Sequence, residues 1–261
     1  MKRGVCLFAI VLPVWLFGQT ARIDRLRAEL PMLKDSARID SMNVLSGQFF
    51  QLSMKDQAEG YAASAYGEAG ALRYFHGMAA ALSRQAAMRT FFYSDFAGGE
   101  RLNRAALGWY QKTGNKAGLA ATYGQLSFVC FAQTQYDEAL RYSDKSFALC
   151  KQSRDTSGML SALELNTQVY LKRGEFDWGF NAAQLALQIS TRLGDSVEIK
   201  SVLLGLGTLC MAIEDYPLAL NYYRAVFQHF TKEDSVSLLK SEDLVWAKME
   251  FAEIYSHLKE F

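Results

Sequence analysis

The chain has 261 residues, of which 50% are hydrophobic and 21% are charged, and its formal net charge at pH 7 is +1. This composition excludes a disordered chain and is sufficient to bury a sizeable core. The near-zero net charge argues against a large electrostatic surface for DNA or RNA, so we expect no nucleic-acid partner. With only three prolines in the chain, the sequence favours helix.

The first twenty residues have the layout of a secretory signal peptide. Lys2 and Arg3 precede an apolar run over residues 5–17, and small or polar residues follow it. The run is too short to span a bilayer, which takes about 20 residues. We therefore predict a signal peptide at 1–20 and an exported protein, periplasmic or extracytoplasmic. An uncleaved anchor is the alternative, because residues 17–19 form a poor cleavage signal.

A charged leading segment, residues 21–38, follows the predicted signal peptide. It is expected to be partly helical and to be broken at Pro31, because proline lacks the backbone N–H that a helix interior uses. Everything after it, residues 39–261, is assigned to one repeat domain. Its first unit, 39–75, is the weakest, as expected for a terminal unit that caps a stack.

The repeat domain is recognised by aromatic residues spaced forty positions apart, which are Phe96, Tyr136, Phe176 and Tyr216. Small residues follow each aromatic at three positions, as Gly99, Ala139, Gly179 and Ala219. Other small residues precede each aromatic by nine positions, as Ala87, Ser127, Thr167 and Gly207. A fixed period of this length is typical of stacked-repeat proteins.

Each forty-residue unit contains two amphipathic segments separated by a short polar turn, so each unit is predicted to be a helical hairpin. In the unit that starts at residue 156, Thr156 or Ser157 is expected to cap the first helix. Small side chains are expected where the two antiparallel helices approach most closely. The predicted fold is therefore all-α, with units at 39–75, 76–115, 116–155, 156–195, 196–235 and an incomplete unit at 242–261.

The incomplete last unit bears on the extent of the protein. The segment Glu242 to Lys259 is predicted to be a first helix with apolar residues on two faces. Phe261 falls near the position of the turn aromatic, and no second helix follows it. A helix with two apolar faces needs a packing partner on each side. We expect the chain to be the front part of a longer protein, or to have lost its C-terminus.

The sequence offers no catalytic or metal-binding motif. Its three histidines lie in different units, and we find no nucleophile, phosphate-loop or dinucleotide signature. Cys130, Cys150 and Cys210 are an odd set without a C-x-x-C pair, so we expect buried free thiols. We predict that the chain is not an enzyme and that it uses no cofactor and no metal.

The repeat pattern resembles the tetratricopeptide repeat. The residues that carry the resemblance are a small residue in the first helix, an aromatic near the turn and an alanine after it, as in Ser127, Tyr136 and Ala139. The period differs, at 40 rather than the family's 34 residues. The resemblance implies a right-handed superhelix of stacked antiparallel hairpins whose inner surface is lined mainly by first helices.

In the resembled architecture, one stripe of first-helix residues faces an inner groove, and by repeat position these are Met88, Phe91, Phe128, Phe131, Gln168, Leu171, Thr208 and Met211. Such a groove would be rich in Met and Phe and would suit a protein or peptide with an apolar or amphipathic segment. The alternative is that these side chains pack between helices and meet no ligand.

Residues 21–46 followed by long repeats resemble the extracytoplasmic front of bacterial sensor histidine kinases that carry tetratricopeptide repeats. This resemblance implies a ligand-sensing module at the N-terminus of a larger two-component signalling protein. The alternative is a stand-alone periplasmic scaffold that assembles envelope proteins. Contact with a membrane is expected only through a missing C-terminal part or through an uncleaved signal.

Overall fold

The computed structural model describes the backbone of residues 14–228 and the side chains of residues 21–228. Eleven α-helices are present in this range: α1 Val14–Glu29, α2 Asp35–Gln51, α3 Lys55–Ala71, α4 Phe75–Tyr93, α5 Phe96–Thr113, α6 Lys116–Ala132, α7 Tyr136–Ser153, α8 Thr156–Arg173, α9 Phe176–Leu193, α10 Ser196–Ala212 and α11 Tyr216–Gln228. A short 3-10 helix, Leu30–Met32, joins α1 to α2. The predicted incomplete unit at 242–261 lies outside the described residues.

Helices α2 to α11 form five antiparallel hairpins, each made of an even-numbered first helix and the odd-numbered second helix that follows it. Each hairpin packs on the next, and the stack is a right-handed superhelix. The prediction of an all-α fold of stacked antiparallel hairpins is confirmed.

The leading segment covers the first hairpin. Ile23 of α1 is 4% exposed and packs with Leu45 and Phe49 of α2. Pro31 lies at the start of the 3-10 helix, where its missing N–H costs no helical hydrogen bond. Helix α2 begins at Asp35, inside the predicted leading segment 21–38, so the first hairpin starts earlier than the sequence pattern indicates.

Each turn between α2 and α11 contains one residue in the left-handed region. In the turn after α6, Thr134 has a φ of 61° and the N–H of Gln135 donates to the carbonyl of Cys130 at 2.8 Å. This arrangement satisfies carbonyl groups that the helix end leaves unpaired. The left-handed residues of the other turns are Ser53, Arg73, Ser94, Gly114, Arg154, Gly174, Gly194 and Glu214. Such short turns force successive helices to run antiparallel.

The helix caps correct one prediction. The residue that caps α8 is Asp155, whose Oδ1 accepts the N–H of Gly158 at 3.0 Å. Thr156, like Ser157, is already inside the helix, so the assignment of the cap to either residue is wrong. Asn115 caps α6 in the same way, with its Oδ1 accepting the N–H of Gly118 at 2.7 Å. A side-chain oxygen in this position pairs one of the free N–H groups of the first turn.

The small residues lie where two helices approach most closely. Ser127 is fully buried and donates to the carbonyl of Ala139 at 2.6 Å, which joins α6 directly to α7. A methyl group on Gly207 would lie 2.6 Å from the Tyr223 ring of α11. Both observations agree with the expectation that small side chains lie at the closest approach of two helices. A larger side chain there would push the two helix axes apart.

The three cysteines in the described range are buried free thiols, as predicted. Cys130 and Cys210 are fully buried within the cores of the third and fifth hairpins. Burial raises the pKa of each of these two thiols to about 11, and nearby carboxylates add to the effect. Neither thiol is in the reactive thiolate form at neutral pH.

Candidate binding groove

The first helices form the inner face of the superhelix. Successive first helices α2, α4, α6, α8 and α10 contact one another, whereas no comparable contact joins successive second helices in the described part of the chain. A stack that is tighter on one side curves toward that side. The concave face is therefore built from even-numbered helices, as the family resemblance implies.

The larger cavity on this face has a volume of about 650 Å³ and lies mainly between α6 and α8. Phe91 of α4 and Phe128 of α6 line one edge of this cavity, and their rings stack with centroids 4.8 Å apart. Phe91 is 52% exposed, and Phe128 is half-buried. The stacked pair thus presents apolar surface to any molecule that enters the cavity.

The floor of this cavity is made of small side chains from α7. Ser143 donates to the carbonyl of Ala162 at 3.0 Å, and Ser146 donates to the carbonyl of Ala120 at 2.9 Å. Because these hydroxyls are short and turned toward backbone carbonyls, they leave the space above them open. Gln125 also lines the cavity, and its buried Oε1 has no hydrogen-bond partner within residues 21–228.

A second cavity of about 360 Å³ lies between α8 and α10. Its walls are largely apolar, and Ala183 and Ala186 of α9 form its floor. Glu198 also lines it, and the pKa of this carboxyl is raised by its burial and by the nearby negative charge of Asp195. Both volumes fall in the range of about 300–1,000 Å³ that is usual for ligand sites.

Six of the eight predicted groove residues line one or both cavities, namely Phe91, Phe128, Phe131, Gln168, Leu171 and Thr208. Gln168 lines both cavities and is exposed. Phe131 and Leu171 are half-buried and form the apolar side of the smaller cavity, where Thr208 contributes a hydroxyl.

Two predicted residues lie elsewhere. Met88 is 2% exposed and packs with Leu45, Phe49 and Ala58 of the first hairpin. The small side chains of that hairpin leave a space that Met88 fills, so it belongs to the core rather than to the groove. Met211 is half-buried against the core of the last hairpin and lines neither cavity.

Sequence reasoning missed the cavity floors, because they come from second helices. Ser143 and Ala183 occupy equivalent positions seven residues after the turn aromatic, and Ser146 and Ala186 occupy positions ten residues after it. In the last hairpin these positions hold the large residues Tyr223 and Val226. Small residues at both positions could have indicated the cavities from the sequence. Larger side chains there would fill the space between the first helices.

The described residues offer neither a metal site nor a membrane-spanning helix. No group of His, Cys, Asp and Glu side chains there is arranged to hold a metal ion. None of the helices within the described range is both long and apolar enough to cross a membrane.

Comparison with known proteins places the fold. No protein-family model and no curated protein matches the chain. Among solved structures, a Rap protein complexed with competence and sporulation factor is similar at 15% identity and a TM-score of 0.66, over 95% of this chain and 73% of that one. NprR in complex with its cognate peptide NprX is similar at 13% identity and a TM-score of 0.57, over 94% and 74%.

A third similar structure is a putative kinesin light chain of Podospora anserina with nearly identical TPR-like repeats. It is 14% identical, with a TM-score of 0.58 over 76% of this chain and 97% of that one. These likenesses show that the chain has a fold of the tetratricopeptide-repeat type. At such low identity they show the fold alone.

Proposed function

We propose that the chain is an exported module that captures a protein or peptide with apolar side chains in its concave groove. The observation that carries this proposal is the Phe91–Phe128 stack at the edge of the larger cavity, in which Phe91 is 52% exposed and Phe128 is half-buried. A ligand that covers these rings gains free energy, since burying one phenylalanine side chain contributes about 1.5–3 kcal/mol.

The groove also offers polar contacts that suit a peptide backbone. Exposed Gln168 lines both cavities, and its side-chain amide can both donate to and accept from the backbone of a peptide. The smaller cavity, beyond Gln168, is large enough for an apolar side chain of the same ligand. Two of the similar structures were determined with a bound peptide or factor, which supports a peptide ligand here.

The finer form of the proposal is that this module senses a ligand as the N-terminal part of a larger signalling protein, such as a sensor histidine kinase. It is supported by the signal-like residues 1–20 and by the resemblance of residues 21–46 to such proteins. Recovery of the full chain from the periplasm of a Gram-negative host checks its export; retention in the cytoplasm would contradict it.

The capture proposal is tested with a random peptide library displayed on phage. Peptides selected by the full-length protein are synthesised, and their dissociation constants are measured by fluorescence anisotropy. The separate replacements Phe91→Ser and Phe128→Ser are expected to weaken binding at least tenfold, since each removes aromatic surface that the peptide covers. Circular dichroism checks that each variant keeps its helical content and its thermal midpoint within a few degrees.

Trp178→Ser is the matched control. Trp178 is 62% exposed near the start of the second helix α9 and lines neither cavity. This variant should bind the selected peptides as the unaltered protein does. Equal losses in all three variants, or no loss in the two phenylalanine variants, would exclude the groove as the binding site.

A further inference from the structure

One residue on the concave face carries a charge that the fold does not balance. Arg84 occupies the same repeat position as Gly124, Glu164 and Leu204, each of which lines at least one of the two cavities. The forty-residue repeat therefore places Arg84 on the same stripe of the inner face, one hairpin closer to the N-terminus than Gly124.

The guanidinium group of Arg84 lies against Gly47 of α2. A methyl group built on Gly47 would be 2.9 Å from the Arg84 Cζ and 3.2 Å from both its Nε and Nη1. Any other residue at position 47 would displace the guanidinium. Gly47 thus leaves room for the planar group to lie between two first helices, while the Arg84 side chain stays open to solvent.

The charge of Arg84 has no carboxylate partner among the residues that the structure describes. Five other arginines are paired with acids, namely Arg38, Arg89, Arg104, Arg141 and Arg173, whereas exposed arginines of the described range such as Arg101 are balanced by water alone. The surrounding protein desolvates the Arg84 guanidinium and lowers its pKa, and the phenol of Tyr110 opposes this effect only in part. The guanidinium is surrounded by protein on its sides and is open to solvent toward the concave face. The result is an uncompensated positive charge that a ligand can reach.

We propose that Arg84 binds the carboxylate of an aspartate or glutamate side chain in the peptide that the groove captures. This inference rests on the proposed function. Arginine offers a fork of N–H donors that matches the two oxygens of a carboxylate. The carboxylate belongs to a side chain rather than to the peptide terminus, because α2 continues the concave face beyond Arg84 and the ligand has surface to follow there.

The position of Arg84 also sets the spacing of the ligand's side chains. Arg84 and Phe91 are seven residues apart on one face of α4, which corresponds to about 10 Å along the helix axis. An extended peptide advances about 3.3–3.6 Å per residue, so this distance spans about three residues. The ligand therefore carries an acidic residue about three positions from an apolar or aromatic residue.

The test uses peptides selected by the full-length protein from a random library. We expect an acidic residue at a fixed distance from an apolar one, and a weakening of about 10- to 100-fold when that acid is replaced by its amide. With the Arg84→Gln protein, the acidic and amide peptides should bind equally well, which isolates the pairwise interaction. Arg84→Lys keeps the positive charge but loses the two-pronged set of N–H donors. Its preference for the acidic over the amide peptide should lie between those of the unaltered protein and the Arg84→Gln variant.

The matched control is Arg101→Gln, an exposed arginine on the second helix α5 that lines neither cavity. It should retain the preference for the acidic peptide. Equal binding of acidic and amide peptides by the unaltered protein would overturn the Arg84 inference and leave groove binding standing. Loss of binding on amidation of the peptide C-terminus alone would also overturn it. Insensitivity to Phe91→Ser and Phe128→Ser would instead overturn the proposed function.

Discussion

Cys130 and Cys210 occupy equivalent positions in α6 and α10, and each behaves as a small apolar side chain. Because burial raises the pKa of both thiols to about 11, the unreactive neutral form dominates from neutral pH to about pH 10. We expect iodoacetamide to leave both residues unmodified at pH 8 in the native protein and to modify both after unfolding in urea. Peptide mass mapping measures this. Rapid modification of native Cys130 would contradict its burial.

Residue-level features were the hardest to predict from the sequence. The Asp155 cap was missed because several polar residues adjoin the start of α8, and only the backbone conformation decides which one precedes the helix. Arg84 was missed because a single arginine in a sequence resembles any solvent-exposed charge. Its significance comes from Gly47 and from the absence of a nearby acid within the described range, and both are properties of the folded chain.

At the scale of elements, the close approach of two helices depends on small residues at fixed positions, and α10 offers a test with its own control. Gly207→Ala would place a methyl group 2.6 Å from the Tyr223 ring, whereas the same change at Gly205 meets nothing within 4 Å. We expect Gly207→Ala to destabilise the protein by about 1–3 kcal/mol through overpacking. Gly205→Ala should stabilise it by about 0.5–1 kcal/mol, because alanine favours helix.

Urea denaturation of both variants, followed by circular dichroism, measures these two free energies of unfolding. The opposite signs are the informative part, since both changes add the same methyl group to the same helix. If the two variants shift the urea midpoint in the same direction, the contact between Gly207 and Tyr223 does not limit the helix spacing.

Prediction of the elements succeeded where the repeat pattern was strict. Positions such as Ser127 and Ala139 recur because the fold requires close packing there, and the sequence reports this directly. Prediction failed for Met88, although it shares its repeat position with Phe128. Met88 packs against the first hairpin, where small residues such as Ala58 leave a space that its side chain fills. A repeat pattern specifies positions within a unit, while burial also depends on the neighbouring unit.

At the scale of the whole molecule, each hairpin between α2 and α11 contacts only its neighbours within the described residues, so stability is local along the stack. Leu126 is fully buried in the third hairpin, and Leu126→Ala should cost about 2–5 kcal/mol of unfolding free energy. Hydrogen exchange should show the largest loss of protection in α5 to α8 and the smallest in α2 and α3. An equal loss of protection in every helix would indicate one cooperative unit instead.

The stripe formed by Arg84, Gly124, Glu164 and Leu204 has a consequence for how such a protein changes over time. The four positions are equivalent in the stack, yet they hold a cation, no side chain, an anion and an alkyl group. None of the residues that close the hairpin turns lies on this stripe. A single substitution at Arg84, Gly124 or Glu164 alters one segment of the surface that a ligand meets and leaves the buried core of the hairpin unchanged. Leu204 differs, because it is 8% exposed and packs in the core of the last hairpin. New ligand preferences are therefore open to the second, third and fourth hairpins one at a time, without an intermediate that fails to fold.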